Sequence, residues 1–256
     1  SEHDQNTRFF KNEYGCLDEK KDHTASAFLY GRKKIDDLLY PSLQKIPPGG
    51  QVLDVGCGTG DQIHRIRSMG FQVAGIEPAP QMRLLAQEKN PETEIVDGSI
   101  LELPFEDQRF DFVLAIEVLR YFHPADVRKA YQELFRVLKP GGVVFFTMVN
   151  RYALDGFVFY ESLKQLTLKF AGKVPSAHCD FVTPSQVRSD LSTLGAREIN
   201  IHGRLFAPIR IFYKINNSLG KTLAKKLDSF DDALSKNSWT LPFAGHLIVE
   251  LIKKDS

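Results

Sequence analysis

The chain has 256 residues, a length typical of one α/β domain with insertions. Its net charge of +1 shows no overall nucleic-acid signal, although residues 1–150 carry 18 basic and 22 acidic side chains and residues 151–256 carry 15 and 10. No apolar run reaches the roughly 18 to 20 residues of a membrane span, and we expect no secretory signal because the N-terminus is polar. Three widely spaced cysteines argue against a disulfide framework or a structural zinc and favour a reducing cytoplasm.

Residues 1–46 are predicted to form an N-terminal arm followed by a helix. Residues 1–24 are charged and irregular, which is typical of a loosely attached arm or of a flap that orders over a ligand. Residues 25–43 place Ile35 and Leu39 at helical spacing and so predict a helix. The prolines and glycines that follow end this helix and turn the chain into the first strand.

The stretch at residues 52–60 reads V-L-D-V-G-C-G-T-G, and the rest of the chain is organised around it. Its apolar start predicts a buried strand, its three glycines predict a tight loop, and residues 61–69 predict a helix. A ligand should lie at the carboxyl end of that strand, facing the helix N-terminus. Asp54 would repel a pyrophosphate there but suits an ammonium or a sulfonium group, and S-adenosylmethionine carries both.

Each of the next three predicted strands leads to an acidic residue. Glu77 follows Gly56 by about twenty residues, the spacing at which a carboxylate can bridge ribose hydroxyls. Helices are predicted at 78–89 and 125–138 from their apolar spacing. The predicted strands and their acids are 71–76 with Glu77, 94–96 with Asp97, and 110–116 with Glu117.

This pattern resembles the class I S-adenosylmethionine-dependent methyltransferases over residues 50–150. The glycine stretch is similar to their first motif, and L-F-R-V-L-K-P-G-G at 134–142, which opens a fifth strand at 143–149, is similar to a phrase of the family. The resemblance implies S-adenosylmethionine as cofactor, S-adenosylhomocysteine as product, and residues 50–150 as the cofactor-binding core of a single domain, residues 1–256. It also implies an α/β fold with a Rossmann-like, seven-stranded, mostly parallel sheet whose last strand is antiparallel, helices on both faces, and a helical lid from insertions.

The same resemblance implies the residues that contact the cofactor. Arg32 on the first helix should reach the methionine carboxylate, unless it is a solvated surface arginine. Glu77 should bind the ribose, and Asp97 and its neighbours should contact the adenine. Met82 either packs on the adenine or belongs to the core. The implied set is Arg32, Asp54, Gly56, Cys57, Gly58, Gly60, Glu77, Pro78, Met82, Asp97, Gly98, Ser99, Ile100 and Glu117.

Beyond residue 150 the sequence predicts the end of the sheet and two insertions that cover the substrate. Strands are predicted at 196–205 and 244–252, which should form the antiparallel end of an otherwise parallel sheet. An aromatic-rich stretch at 152–170 predicts a helix. The two covering insertions are residues 151–182 and 208–240.

The second insertion carries a basic and apolar pattern. Residues 204–227 contain six basic side chains and no acid, and apolar residues recur at three- and four-residue steps from Ile215 to Leu234. The pattern predicts an amphipathic helix with a basic flank. Such a helix either packs on the domain with its lysines solvated, or forms a lid that makes a peripheral contact with an anionic membrane surface.

Residues 176–208 are similar to one branch of the family, the ubiquinone-biosynthesis O-methyltransferases. H-C-D-F-V-T-P-S-Q-V at 178–187 and G-R-L-F-A-P at 203–208 loosely resemble their phrases, which implies a small, partly hydrophobic acceptor. Those enzymes carry E-x-x-E-H after the fourth strand, where the acids and the histidine can hold a divalent metal. Here residues 117–121 read E-V-L-R-Y, and because arginine cannot ligate a cation we predict no metal.

Three side chains are predicted to serve the acceptor. Arg120 either binds an acidic substrate group or pairs with an acid such as Glu117, and Tyr121 should line the acceptor pocket. His178 is the candidate base for an oxygen acceptor, because a histidine with a near-neutral pKa can take up the proton. His123 is a second candidate, although its place beside a proline favours a capping role.

Three functions compete at this point. The first is a methyltransferase for small molecules, with O-methylation favoured. The second is a methyltransferase that acts on RNA or protein, which the basic second half of the chain favours, although the N/D-P-P-Y/F phrase of base-amine methyltransferases is absent. The third is a non-catalytic module that binds the cofactor or a partner subunit. The sequence does not predict an oligomeric state.

Overall fold

The computed structural model describes residues 22–154, 158, 166–167, 170 and 181–255. Helices and strands alternate along most of this length, as is typical of an α/β protein. The helices with described bounds are α1 (Ala27–Leu43), α2 (Asp61–Ser68), α3 (Pro80–Lys89), α4 (Pro124–Val137), α5 (Pro184–Ser192), α6 (Ile209–Ile215) and α7 (Asn217–Ser235). The strands are β1 (Gln51–Val55), β2 (Gln72–Ile76), β3 (Glu94–Val96), β4 (Phe110–Ala115), β5 (Leu138–Val149), β6 (Ala196–Arg204) and β7 (His246–Lys253). Short 3-10 helices cover Leu119–Tyr121 and Ser238–Phe243.

The strands form one seven-stranded sheet in the order β3-β2-β1-β4-β5-β7-β6. Parallel pairs join β1 to β2 and β4, β2 to β3, and β4 to β5, whereas β7 runs antiparallel to both β5 and β6. The predicted sheet is confirmed, with the refinement that β6 runs in the same direction as β5 and only β7 is reversed. The strand order reverses between β1 and β4, and ligands of open α/β sheets bind at the carboxyl ends of such strands.

Most predicted boundaries agree with the structure within two residues. The exception is β5, which begins at Leu138 rather than at residue 143. Leu138 pairs with Phe110 of β4, and a register shift separates this pair from the rest of the ladder. The K-P-G-G phrase therefore lies within an irregular strand and not in a loop before it.

Helices cover both faces of the sheet, as predicted. α1 and α2 pack on one face, and α4 and α5 pack on the other. Alternate side chains of β4 point into the two layers: Phe112 and Leu114 belong to the first, and Val113 and Ala115 to the second. Because both layers exclude water, this central strand is apolar and buried from Phe112 to Ala115, which is how the sequence reveals it.

The second insertion forms two helices rather than the single amphipathic helix that the sequence predicts. α6 ends at Ile215, and the side chain of Asn216 caps α7 by accepting hydrogen bonds from the backbone N–H groups of Ser218 and Leu219, at 2.8 and 3.1 Å. Asn216 has an extended backbone with φ of −157°, so the chain changes direction there. Local capping chemistry thus divides a continuous apolar pattern.

A buried lysine and three carboxylates, of which Asp231 is buried, hold α7 against α1. Lys34 of α1 is fully buried, and its Nζ lies 2.8 Å from a carboxylate oxygen of Asp228, 2.7 Å from Asp232 and 3.8 Å from Asp231. Asp231 is itself buried and accepts a hydrogen bond from the backbone N–H of Phe206 at 2.8 Å. The insertion therefore packs on the domain through α7.

Several predictions fall outside the described residues. They concern most of the arm at residues 1–24, most of the helix at 152–170, and His178. Among the helices within the described ranges, none has the length and the apolar composition that a bilayer crossing requires.

Candidate active site

The loop after β1 requires glycine at its alternating positions. Gly56, Gly58 and Gly60 have φ values of 73°, 57° and 76°. A Cβ on Gly56 would lie 2.6 Å from a methyl carbon of Val118, and a Cβ on Gly60 would lie 2.6 Å from the amide nitrogen of Asn90. A Cβ on Gly58 would meet no described atom within 4 Å. The loop backbone is therefore accessible to a ligand at Gly58.

Glu77, immediately after β2, lies directly against this loop. Its Oε2 accepts a hydrogen bond from the N–H of Gly58 at 2.9 Å, and its Oε1 accepts one from the N–H of Ala79 at 2.9 Å. The carbonyl oxygen of Ile76 accepts two further N–H groups of the loop, at 2.8 and 2.9 Å. The structure thus brings Glu77 and the glycines together at the place where their spacing predicts a ribose site.

Asp54 is a buried carboxyl group near a buried arginine. Burial raises its pKa to about 7; Arg32 opposes this effect and Glu77 adds to it. Arg32 donates through Nε to Asp36 at 3.0 Å and also contacts the side-chain oxygen of Gln62. Arg32 is therefore not a solvated surface residue, and a cation bound near Asp54 would favour the ionised carboxylate.

Asp97, immediately after β3, has 72% of its side chain exposed and pairs with an arginine that the sequence did not single out. Nη1 of Arg83 lies 2.9 Å from Asp97 and 2.7 Å from the backbone carbonyl oxygen of Glu77. Arg83 therefore connects the ends of β2 and β3. Pro78 and Ser99 are exposed along the same edge.

Some predicted contacts have side chains that belong to the core. Ile100 is 3% exposed and packs in the main apolar cluster. Cys57 packs against α2 and α3 residues, and burial raises the pKa of its thiol. Met82 is half-buried, and a Cβ on Gly98 would lie 3.1 Å from the ring of Pro104. Ile100 and Cys57 can therefore offer a ligand only backbone atoms.

Glu117 follows β4 and lies in a group of charged residues. It has a left-handed backbone with φ of 60°, a conformation that non-glycine residues adopt at a cost and often at functional sites. Its N–H donates to Oγ1 of Thr147 at 2.8 Å, and its Oε2 accepts from Nη1 of Arg120 at 2.6 Å. Its Oε1 lies 3.2 Å from Nδ1 of His246.

His246 brings a second arginine into the group. It begins β7 opposite Val149 of β5, and it is 2% exposed. Its Nε2 lies 3.0 Å from Nη2 of Arg210, which α6 contributes. Burial raises the pKa of Glu117, but His246, Arg120 and Arg210 outweigh that effect and lower the pKa to about 2. Glu117 is therefore ionised at neutral pH.

Of the residues predicted to serve the acceptor, two lie in this group. Arg120 pairs with Glu117, which was one of its two alternatives, and Tyr121 is 52% exposed with its ring 5.2 Å from the guanidinium of Arg120. Val118 contacts Gly56, so the group borders the glycine loop. Within the described ranges, no three His, Cys, Asp or Glu side chains are grouped closely enough to hold a metal ion.

Comparison with known proteins gives separate evidence on the family of the chain. A family model described as a methyltransferase domain matches residues 53–146. The ubiquinone biosynthesis O-methyltransferase of Aliivibrio fischeri (strain MJ11) is 30% identical over 180 residues, 68% of this chain and 74% of that protein. The sterol 24-C-methyltransferase of Schizosaccharomyces pombe is 38% identical over 105 residues, 38% of this chain and 27% of that protein.

The fold is also that of solved methyltransferases. Haemonchus contortus phosphoethanolamine N-methyltransferase 2, in complex with phosphomonomethylethanolamine and S-adenosylhomocysteine, superposes with a TM-score of 0.59 at 19% identity over 88% of this chain and 53% of that one. The glycine loop, the carboxylate of Glu77 against it and the strand order place a ligand crevice where such a fold requires one. The chain belongs to the class I S-adenosylmethionine-dependent methyltransferases, enzymes whose cofactor is S-adenosylmethionine.

Proposed function

We propose that this enzyme methylates a small, partly hydrophobic acceptor and that the methyl group goes to an oxygen atom. The proposal rests on Arg120 and Tyr121, which lie beside Glu117 and next to Val118, the residue that contacts Gly56 of the glycine loop. An acceptor here would meet an exposed aromatic ring and a guanidinium close to the cofactor loop. The 30% identity to a ubiquinone biosynthesis O-methyltransferase supports oxygen as the acceptor atom.

The cofactor contacts are proposed from the geometry of the loop and its acids. The accessible backbone at Gly58 would lie against the cofactor, and the carboxylate of Glu77, which accepts from the N–H of Gly58, would accept hydrogen bonds from the ribose hydroxyls. Asp54 would face the ammonium group. Arg32 is proposed to bind the methionine carboxylate, and Asp97 the adenine amino group.

When bound, the cofactor supplies a methyl group on an already activated sulfonium. The residues of the chain then have to align the acceptor, exclude water and take up a proton. For a hydroxyl acceptor, His178 is the proposed base, whose neutral imidazole receives the hydroxyl proton as the oxygen attacks. We propose no metal, because Arg120 and Tyr121 stand where the metal-binding pattern has an acid and a histidine.

A transfer assay with methyl-labelled S-adenosylmethionine tests this function. The enzyme is incubated separately with small phenols and hydroxy acids, a lipid extract, RNA and protein, and the labelled products are identified by mass spectrometry. We expect O-methyl products in the small-molecule or lipid fraction, and less of them with Glu77→Ala when S-adenosylmethionine is below saturation. Label in RNA or protein alone would favour the competing function. A C- or N-methyl product would overturn oxygen as the acceptor atom.

We further propose that the enzyme works in the cytoplasm and that its second insertion touches an anionic membrane surface, where a lipid-like acceptor would reside. Ile211 and Ile215 on α6 are 40% and 69% exposed, Leu219 at the start of α7 is 42% exposed, and Lys214 lies among them. Exposed apolar side chains with lysines near them in the sequence suit the boundary between lipid headgroups and acyl chains. In the alternative interpretation the helix only packs on the domain with its lysines solvated, and the protein has no affinity for anionic membranes.

Liposome co-sedimentation separates these alternatives. The wild type should sediment with anionic vesicles at low salt and less at high salt, because ions screen surface attraction. Changing Lys221, Lys225 and Lys226 together to Glu should abolish binding. Asp22→Asn should strengthen it, since Asp22 now pairs with Lys221 and Lys225 at 2.9 and 3.1 Å. A wild type that stays in the supernatant with anionic vesicles would remove the membrane contact.

A further inference from the structure

The charged group around Glu117 joins both halves of the chain at the carboxyl edge of the sheet. Arg120 comes from the 3-10 helix after β4, His246 from β7, and Arg210 from α6 in the second insertion. Arg210 also approaches α1, because a Cβ built on Gly31 would lie 3.8 Å from its Nη2. The group is therefore enclosed between the sheet edge, α1 and α6, on the side where the glycine loop lies.

The contacts of this group fix the roles of its nitrogen atoms. A guanidinium only donates hydrogen bonds, so Nε2 of His246, 3.0 Å from Nη2 of Arg210, has to accept. In this arrangement the ring of His246 is neutral, with its proton on Nδ1, 3.2 Å from Oε1 of Glu117; it acts on Glu117 as a cation, and lowers the pKa of that carboxyl, only when it is protonated. Glu117 and His246 thus hold the guanidinium groups of Arg120 and Arg210 at two neighbouring points.

Guanidinium groups suit a particular class of ligand. Each carries five N–H donors in one plane, and their fork geometry matches a carboxylate or a phosphate. The site also gathers positive charge, since Arg120 and Arg210 both act on Glu117 and keep it ionised. A bound sulfonium nearby would add to the positive potential and so favour an anionic acceptor over an amine.

We propose that Arg120 and Arg210 form an anion-binding subsite that takes a carboxylate or phosphate monoester group of the acceptor. Glu117 and His246 act as positioning residues that orient the two guanidinium groups. The exposed ring of Tyr121, 5.2 Å from the guanidinium of Arg120, would face the apolar part of the same molecule. This subsite rests on the proposed function and deepens it, because it defines the acceptor as an acid with an apolar body.

Calorimetry with small ring compounds tests the subsite without the natural acceptor. The probes are 4-hydroxybenzoate, phenyl phosphate and the neutral 4-hydroxybenzamide, titrated at constant ionic strength into protein saturated with S-adenosylhomocysteine. We expect the anionic probes to bind roughly ten- to a hundred-fold more tightly than the amide, as charge-assisted hydrogen bonds predict. Arg210→Gln and Arg120→Gln should each remove most of this preference, since glutamine keeps hydrogen bonding but not the charge.

Arg109→Gln is the matched control. Arg109 pairs with Glu94 and precedes β4, at the opposite edge of the sheet, so the preference should be unchanged. Thermal unfolding checks each variant, and if Arg120→Gln does not fold, Arg210→Gln on the peripheral helix α6 decides. No preference in the wild type, or a preference that survives in the arginine variants, would overturn the subsite. Failure of the proposed cofactor site would give a different result, because S-adenosylhomocysteine itself would not bind. The three probes would then be titrated into the cofactor-free protein, and their relative affinities would test the subsite alone.

Discussion

Carboxyl groups at one edge of the sheet have opposite electrostatic environments. Burial raises the pKa of Asp54 to about 7, whereas Glu117 lies near His246 and two guanidinium groups and has a pKa of about 2 despite its burial. Asp54 therefore gains most from a ligand that brings a positive charge. Glu117 is already surrounded by guanidinium groups, and these arginines favour a ligand that brings a negative charge. The two carboxyl groups therefore suit different parts of a ligand: Asp54 suits a cationic group, and the surroundings of Glu117 suit an anionic group.

Replacing Glu77 tests the ribose contact. Glu77→Ala should weaken binding of S-adenosylhomocysteine by roughly 1.5–3 kcal/mol, the magnitude of hydrogen bonds to a charged group, and it also leaves the N–H of Gly58 without its carboxylate partner. Isothermal titration calorimetry measures the change. Glu94→Ala is the control, because Glu94 is exposed on β3 and pairs only with groups away from the loop. Equal affinity of Glu77→Ala and wild type would remove Glu77 from the site.

The pKa of Asp54 predicts how cofactor binding depends on pH. If Asp54 binds the ligand ammonium as a carboxylate, affinity for S-adenosylhomocysteine should rise between pH 5.5 and 8, because below about 7 binding has to displace a proton. Calorimetry in buffers of different ionisation enthalpy would detect that proton. Methylthioadenosine, which lacks the ammonium group, should bind with little pH dependence. A flat profile for S-adenosylhomocysteine would contradict this role.

Asp54 should also make the stability of the cofactor-free protein depend on pH, and here the stability falls as pH rises, whereas the cofactor affinity increases. A carboxyl whose pKa is raised from 3.8 in the unfolded chain to about 7 in the folded chain stabilises the fold at low pH, and this contribution is lost as pH rises through about 7. Asp54→Asn should therefore unfold at higher urea than the wild type at pH 8. At pH 4 the two proteins should differ little. Loss of stability in Asp54→Asn at pH 8 would show that the ionised form is stabilised by its surroundings.

At the scale of elements, local patterns were sufficient for the sheet and insufficient for the acceptor side. The apolar run from Phe112 to Ala115 predicts β4 because both faces of the sheet are covered there, and the spacing of Glu77 from the glycine loop predicts its place because both lie within one βαβ unit. His246 and Arg210 were missed. They reach Glu117 only because β7 reverses direction beside β5 and α6 folds back over α1, which are long-range pairings that no local spacing encodes.

The link between α1 and α7 gives a second test at this scale. Lys34→Ala should destabilise the fold by about 3–5 kcal/mol, because it leaves the buried Asp231 and its neighbours without their cation. Urea unfolding measures the loss. Lys33→Ala is the matched control, since the adjacent Lys33 pairs with Asp37 at the surface and should contribute at most about 1 kcal/mol.

Two outcomes would contradict the interpretation that Lys34 holds α7 against α1. Similar losses for both lysine variants would show that the buried charges of α7 do not depend on Lys34. If Lys34→Ala does not fold at all, Lys34→Met with Asp231→Asn should restore folding, because the two changes remove the buried cation and the buried carboxylate with little change of volume, while Asp228 and Asp232 remain partly exposed to water. If the double variant does not fold either, the loss of folding in Lys34→Ala comes from altered packing and not from the unpaired charge.

At the scale of the whole molecule, the two halves of the chain differ in charge but share one architecture. Residues 1–150 carry 18 basic and 22 acidic side chains, and residues 151–256 carry 15 and 10. The more basic half does not form a separate unit next to the other half. Its strands β6 and β7 complete the sheet, and its helices α6 and α7 lie against α1. Through Arg210 it adds positive charge to the carboxyl edge of the sheet, where the more acidic half supplies the glycine loop.

This sharing predicts that the insertion and the cofactor core unfold as one cooperative unit, in keeping with a single domain. Native-state hydrogen exchange in urea should give α7 and β4 the same global free energy of opening, because β7 joins β5 and Lys34 joins α1 to α7. S-adenosylhomocysteine at 100 times its dissociation constant should raise both values by about 2.7 kcal/mol, since a ligand that binds only the folded state stabilises every segment that unfolds with the site. If α7 instead opens at lower urea and its exchange does not respond to the ligand, the insertion is an independent unit, and the buried charges around Lys34 then act only within it.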